Sequence, residues 1–141
     1  MNQDPIRIVI AEDHAIFRNS LVWALQRYEQ DLKVVGEAAN GLQLVDLVDQ
    51  VLPDVILTDI QMPVMDGVQA VRIIKEKYSH IKIIALTLLS DSSVVTSLVS
   101  VGVNGYLLKN CNIEDLYLAI KRVNDGESYF DKEIAAIISG Y

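Results

Sequence analysis

One cysteine, three prolines and an aromatic content of 6% leave this 141-residue chain few of the parts that mark specialised folds. With Cys111 as its single thiol the chain forms no internal disulfide, which excludes a stapled extracellular scaffold and suits a reducing compartment. Long apolar runs are missing too: the longest are about six residues, against the roughly 20 that a membrane-crossing helix needs. The start, Met1-Asn-Gln-Asp-Pro5, has neither the basic nor the apolar part of a secretory signal. The expectation is a cytoplasmic protein without membrane contact. Positive charge is in the minority, 12 Lys and Arg against 19 Asp and Glu for a net charge of -7. Nucleic-acid affinity rests on clustered Lys and Arg, so this segment is not expected to bind nucleic acid directly. A moderately acidic surface serves solubility in any case.

What the chain does have is apolar material in regular order. Hydrophobic residues make up 51% and charged residues 22%, enough for one well-filled core. Strand patterns rich in Val, Ile and Leu are read at residues 6–11, 33–38, 54–59, 81–87 and 104–108. Helical spacing is read between them at 15–29, 41–51, 67–78, 91–101 and 112–125, clearest in Leu116, Ile120 and Val123. Asn40-Gly41 and Asp66-Gly67 mark turns into helices, and Gly102 and Asp125-Gly126 follow the fourth and fifth. No linker, repeat or low-complexity segment interrupts the alternation. Near-continuous apolar strands are buried on both faces, and right-handed crossovers place helices on both sides. The expected fold is therefore α/β, a doubly wound five-stranded parallel sheet with its site beyond the carboxyl ends of the strands. The tail from Ser128 to Tyr141 reads as a short helix whose Ile134, Ile137 and Ile138 seek a partner surface, or as the start of a linker.

Four strand ends carry chemistry. Ile6–Ala11 runs into Glu12-Asp13, Asp54–Asp59 ends on a carboxylate before a sharp turn, Ile81–Leu86 ends in Thr87, and Gly105–Leu108 ends in Lys109. If the strands are parallel neighbours, these ends converge. Three carboxylates brought together repel unless a cation neutralises them. A hard divalent ion such as Mg²⁺ suits oxygen-only ligands and uses one or two carboxylates directly. Asp13 and Asp59 are the expected direct ligands, with the longer Glu12 acting through water. A carboxylate can be a nucleophile that forms an acyl phosphate. Asp59 is the candidate, with Lys109 and the Thr87 hydroxyl placed to stabilise the phosphoryl group it would carry.

Glu12-Asp13, Asp59 followed by Met62-Pro63 and Asp66-Gly67, Thr87, and Tyr106-Leu-Leu-Lys109 together resemble the receiver domain of bacterial two-component response regulators, over about residues 5 to 125. Glu12-Asp13-His14, the absence of proline after Lys109, and Asp125-Gly126-Glu127-Ser-Tyr-Phe130 are most similar to the NarL/FixJ branch. The resemblance implies a flavodoxin-like strand order 2-1-3-4-5, a receiver at 1–127 and an extension toward an effector domain at 128–141. It implies that Asp59 takes a phosphoryl group from a sensor histidine kinase or phosphotransfer protein, with Mg²⁺ held by Asp13, Asp59 and the backbone carbonyl of Gln61. It implies also a switch in which the Thr87 hydroxyl moves toward the phosphate and the Tyr106 ring turns inward. The implied output is transcription through a DNA-binding domain outside these residues, with a standalone receiver as the other option; the linker-like tail adds the expectation that phosphorylation either controls formation of a homodimer or releases that domain. Gln61 and Leu89 occupy positions that tune phosphoryl lifetime in the family. Leu88 departs from the small residue usual after Thr87, and its bulk narrows access for a donor.

Alternatives stand beside this reading. One strand-end carboxylate alone is more often a solvated turn residue than a ligand; the conjunction reverses that expectation. A phosphorylation-independent interaction module of the same fold is the main rival, opposed by the complete acidic set and Lys109. An aspartyl phosphatase would need a second Asp two residues after Asp59, where Gln61 stands, and nucleotide binding would need a glycine-rich turn where Glu12-Asp13-His14 stands. His14 is read as a helix-start residue, His80 as solvent exposed, Cys111 as inert and Trp23 as core or interface packing.

Overall fold

The computed structural model describes residues 4–88 and 92–140. Leu89, one of the lifetime positions, lies outside the described residues. Strands β1 (Ile6–Ala11), β2 (Leu32–Ala38), β3 (Val55–Asp59), β4 (Lys82–Thr87) and β5 (Gly105–Leu108) alternate with helices α1 (Ala15–Leu25), α2 (Gly41–Val51), α3 (Gly67–Lys77), α4 (Ser92–Ser100) and α5 (Ile113–Asn124). All ladders are parallel, in the order β2-β1-β3-β4-β5-β6.

The expected five strands are thus corrected to six. Tyr129–Phe130 forms a two-residue strand, β6, which pairs with Gly105 and Tyr106 of β5. The chain then turns at Asp131 into α6 (Lys132–Ser139), which packs against α4. The apolar face of this tail is therefore satisfied within the chain: Ile134 is fully buried, and Ile137 and Ile138 lie partly buried beside it.

Side chains alternate across a strand, so each strand feeds two cores. Val9, Ile56, Ile83, Ala85 and Tyr106 face the side covered by α2, α3, α4 and α6. Ile8, Ile10, Leu57, Ile84 and Leu107 face the side covered by α1 and α5, where Leu21, Leu25, Leu116 and Ile120 meet them. Trp23 belongs to neither core; it is 76% exposed on the outer face of α1. His80 is exposed as expected, its ring edge-on to Tyr78.

Three of the helices that leave the strand ends begin with a side-chain cap: Asn40 Oδ1 accepts from Gln43 N at 2.9 Å, Asp66 Oδ1 from Gln69 N at 2.9 Å, and Asn112 Oδ1 from Asp115 N at 2.8 Å. In α5, Glu114 and Asp115 in the first turn and Lys121 and Arg122 in the last complement the helix dipole. These caps fix where each loop ends. The ladder register does the rest, setting Ala11 beside Thr58, Asp59 beside Leu86 and Thr87 beside Leu108. Glu12, Asp59, Thr87 and Lys109 accordingly share one edge of the sheet.

Candidate functional site

Lys109 is the centre of that edge. It follows β5, and its backbone N–H donates to Thr87 O at 2.7 Å, tying the end of β5 to the end of β4. Its ammonium hydrogen-bonds Glu12 Oε1 and donates to Asp59 Oδ2 at 3.0 Å. The Phe17 ring of α1 lies 4.8 Å below it, a cation–π contact. Burial pulls the Lys109 pKa down, but the hydrogen bonds to Glu12 and Asp59 and the attraction of both carboxylates outweigh it, and the net displacement is upward. Lys109 is held protonated.

Asp59 is buried at the end of β3. Its Oδ1 accepts from Ile60 N at 2.7 Å and, at the long distance of 3.4 Å, from Gln61 N. Thr58 donates to Asp59 O at 2.8 Å, fixing the last peptide of the strand. Glu12, only 1% exposed, is shared between Lys109 on one oxygen and His14 N on the other, at 3.0 Å. Arg18 of α1 donates to Glu12 O and pairs with Glu37, clasping the β1 end to α1 and β2.

Asp13 differs from these two. Its Oδ1 is buried and accepts no hydrogen bond from any described residue, and the His14 ring Nδ1 stands 3.3 Å away. One ligand atom each from Glu12, Asp13, His14 and Asp59 lies within 4.8 Å of the others. A carboxylate oxygen shielded from water without a donor is costly unless a cation joins it. The three carboxylates therefore form a cluster able to hold a metal ion, and oxygen donors of high charge suit a hard one.

Thr87 is buried at the end of β4, Tyr106 is fully buried in β5 between Ala85 and Phe130 of its neighbours, and Gln61 is exposed in the loop after β3. In that loop Val64 has φ of 70°, a left-handed conformation unusual for a β-branched residue, while Met65 N donates to Pro63 O at 2.7 Å across it. Leu88 is 74% exposed, its bulk in solvent rather than in the core.

The structure thus brings together every strand-end group that the sequence singled out. It adds Phe17, Arg18 and the His14 ring, which sequence reasoning did not place there. Phe17 sits one helical turn from the core residue Leu21, a spacing that signals burial but not the charge above it.

Residues 8–121 match the response regulator receiver domain. The chain belongs to that family. The receiver is 37% identical over 134 residues to the transcriptional regulatory protein DegU of Brevibacillus brevis, covering 95% of this chain and 56% of the relative. It is 36% identical over 130 residues to the oxygen regulatory protein NreC of Staphylococcus epidermidis, covering 92% and 59%. The chain therefore spans somewhat over half the length of these curated relatives. Among solved structures, a LuxR-family two-component response regulator from Aurantimonas sp. SI85-9A1 superposes with a TM-score of 0.90 at 26% identity, covering 97% of both chains. The signal receiver domain of NarL from Mycobacterium tuberculosis superposes with 0.82 at 29% identity, covering 89% of this chain and all of that one. The receiver is a signalling domain of the NarL and DegU kind, and among its described residues no helix is long and apolar enough to cross a membrane.

Proposed function

We propose that this receiver is a phospho-accepting switch in which Asp59 takes a phosphoryl group from the phosphohistidine of a sensor histidine kinase or phosphotransfer protein. The observation that carries the reading is the Lys109 ammonium held between Asp59 and Glu12 beside the buried Asp13 oxygen, which accepts no hydrogen bond among the described residues. An Asp59 oxygen attacks phosphorus, the N–P bond breaks, and its electron pair returns to the donor imidazole. The N–H of Ile60 orients the carboxylate. Lys109 is placed to follow the charge from the carboxylate onto the phosphoryl oxygens, and no separate base is required. Asp13, Asp59 and the backbone carbonyl of Gln61 would hold Mg²⁺, with Glu12 behind them through water. When bound, that ion supplies charge neutralisation at the phosphoryl oxygens. The protein promotes its own phosphorylation and dephosphorylation rather than turning over a separate substrate.

Thr87 and Tyr106 are the proposed switch. Tyr106 lies on β5, which is bonded to the residue that follows β6: Asp131 N donates to Tyr106 O at 3.0 Å, and Leu108 N reaches Asp131 Oδ2 at 3.4 Å. A change at Thr87 and Tyr106 is thereby transmitted to the segment from 128 to 139, toward an effector domain. The whole regulator would then act on transcription, as the name of the DegU relative states for that protein, and phosphorylation would drive a homodimer.

Asp13→Asn tests the metal part. It removes one charge from the pocket and keeps the shape, so Mg²⁺ affinity measured by calorimetric titration is expected to fall about tenfold or more while unfolding stability in chelator holds or rises. Unchanged Mg²⁺ affinity would overturn the assignment of Asp13.

A further inference from the structure

Lys75, near the end of α3, donates to two hydrogen-bond acceptors as Lys109 does, but its setting is the opposite one. Its Nζ donates to Ile81 O at 2.7 Å and to Asn104 Oδ1 at 2.8 Å, both uncharged, and it takes part in none of the ion pairs among the described residues. A neutral amine has two N–H bonds and one lone pair. Two acceptors therefore satisfy the neutral form completely, whereas an ammonium here carries a third proton and a half-buried charge without a counter-ion. The side chain borders a shallow groove between α3 and α4, lined also by Arg72, Glu76, Ser100 and Val101. The ionisable groups around it are Arg72 and Glu76 of α3 and Lys82 of β4; α4 contributes none to the groove.

We propose that Lys75 is an acylation site that takes its acyl group from a small acyl phosphate. The lone pair attacks the carbonyl carbon, the N–C bond forms, the C–O bond to phosphate breaks with its electron pair leaving on phosphate, and one amine proton passes to solvent. Burial, with the nearby charge of Lys82 second, lowers the Lys75 pKa to about 8, so an appreciable share of free amine is present near neutrality. The cations Arg72 and Lys82 favour an anionic donor over a neutral one.

Acylation has a structural consequence. The product amide retains one N–H for two acceptors, so either Ile81 O or Asn104 Oδ1 loses its hydrogen bond from Lys75. Asn104 Oδ1 also accepts from Ile83 N at 2.9 Å, Asn104 N donates to Ile83 O, and Asn104 O accepts from Tyr129 N. Modification at Lys75 therefore loosens the knot from which β4, β5 and β6 start, at the opposite end of the sheet from Asp59.

The test is residue-resolved acetylation of the whole chain by acetyl phosphate between pH 7 and 10, with a chelator present so that metal-dependent modification of Asp59 does not intervene. Peptide mass mapping is expected to show Lys75 modified about tenfold faster near pH 8 than the exposed Lys33 and Lys132, with its rate levelling off above its own pKa. Lys82→Gln is expected to move that levelling point to higher pH. A parallel series with an acetyl thioester should show a weaker preference for Lys75. Lys75 reacting no faster than Lys33 and Lys132, or its rate climbing with theirs to pH 10, would overturn the site. A preference shown by the thioester alone would overturn the acyl phosphate as donor.

Discussion

Lys109→Met is expected to lose about 3–5 kcal/mol of unfolding stability in chelator, and phosphoryl incorporation at Asp59 is expected to fall by a hundredfold or more. The substitution keeps an unbranched side chain over Phe17 and removes only the charge. Glu12 and Asp59 are both buried and share that single ammonium, so its loss leaves two carboxylates facing each other without a cation. Removing one member of such a group is far more costly than never having built it. The effect on phosphorylation follows from the same geometry, because the ammonium that neutralises Asp59 before transfer is the one placed to neutralise the phosphoryl group after it.

The pH dependence separates the loss of a charge from a packing defect. The Lys109 pKa is raised in the folded state above its ordinary 10.5, so its contribution is fully present below that value and is lost as pH rises through the higher folded-state value. The stability gap between wild type and Lys109→Met in urea is therefore expected to be level from neutral to mildly alkaline pH and to close only in strong alkali. A gap that persisted unchanged into strong alkali would point to packing instead.

The second large effect is expected at Gly67, the first residue of α3. A Cβ added there would lie 2.6 Å from Asp59 O and 2.7 Å from the Ile60 Cα, both backbone atoms that cannot rotate away. Gly67 N also donates to Ile60 O at 2.7 Å, which folds the loop from 60 to 66 back onto the end of β3. Gly67→Ala must therefore move the peptide that carries Asp59, at a cost of about 2–3 kcal/mol. Because the displaced backbone is that of the proposed acceptor, incorporation at Asp59 should fall together with stability. Gly126→Ala is the control: its φ of 96° strains an alanine, but no atom lies within 4 Å of the added methyl. It should lose about 1 kcal/mol and leave incorporation unchanged. Equal losses of incorporation in both variants would show that instability alone is responsible.

The sequence was most legible where a strand end and a chemical group coincide. The apolar runs ending in Glu12-Asp13, Asp59, Thr87 and Lys109 are long enough to be recognised, and parallel order alone brings them to one edge. Where the pattern is too short it says little. Tyr129–Phe130 is two residues between Ser128 and Asp131, with no room for a period of two to repeat, and its place in the sheet comes from backbone bonds to Asn104 and Tyr106. The spacing of Ile134, Ile137 and Ile138 announces an amphipathic helix, but spacing cannot say whose surface it covers; here it is the chain's own α4. Trp23 leaves the sequence undecided between core and interface packing, because a large aromatic on a helix suits either, and its exposure removes the core alternative. The Lys75 knot was illegible for a different reason: it joins α3 to the starts of β4 and β5 through a carbonyl and an amide, neither of which leaves a trace in a one-dimensional pattern.

Asp59 is proposed to accept a phosphoryl group with the help of a divalent ion. Intact-protein mass after incubation with a small acyl-phosphate donor, with and without Mg²⁺, in wild type and Asp59→Asn, tests it most directly, with peptide mapping to separate phosphoryl from acyl groups. One added phosphoryl group is expected in wild type with Mg²⁺, and none in Asp59→Asn or in chelator. Phosphoryl incorporation that survives Asp59→Asn, or that proceeds equally in chelator, would contradict it.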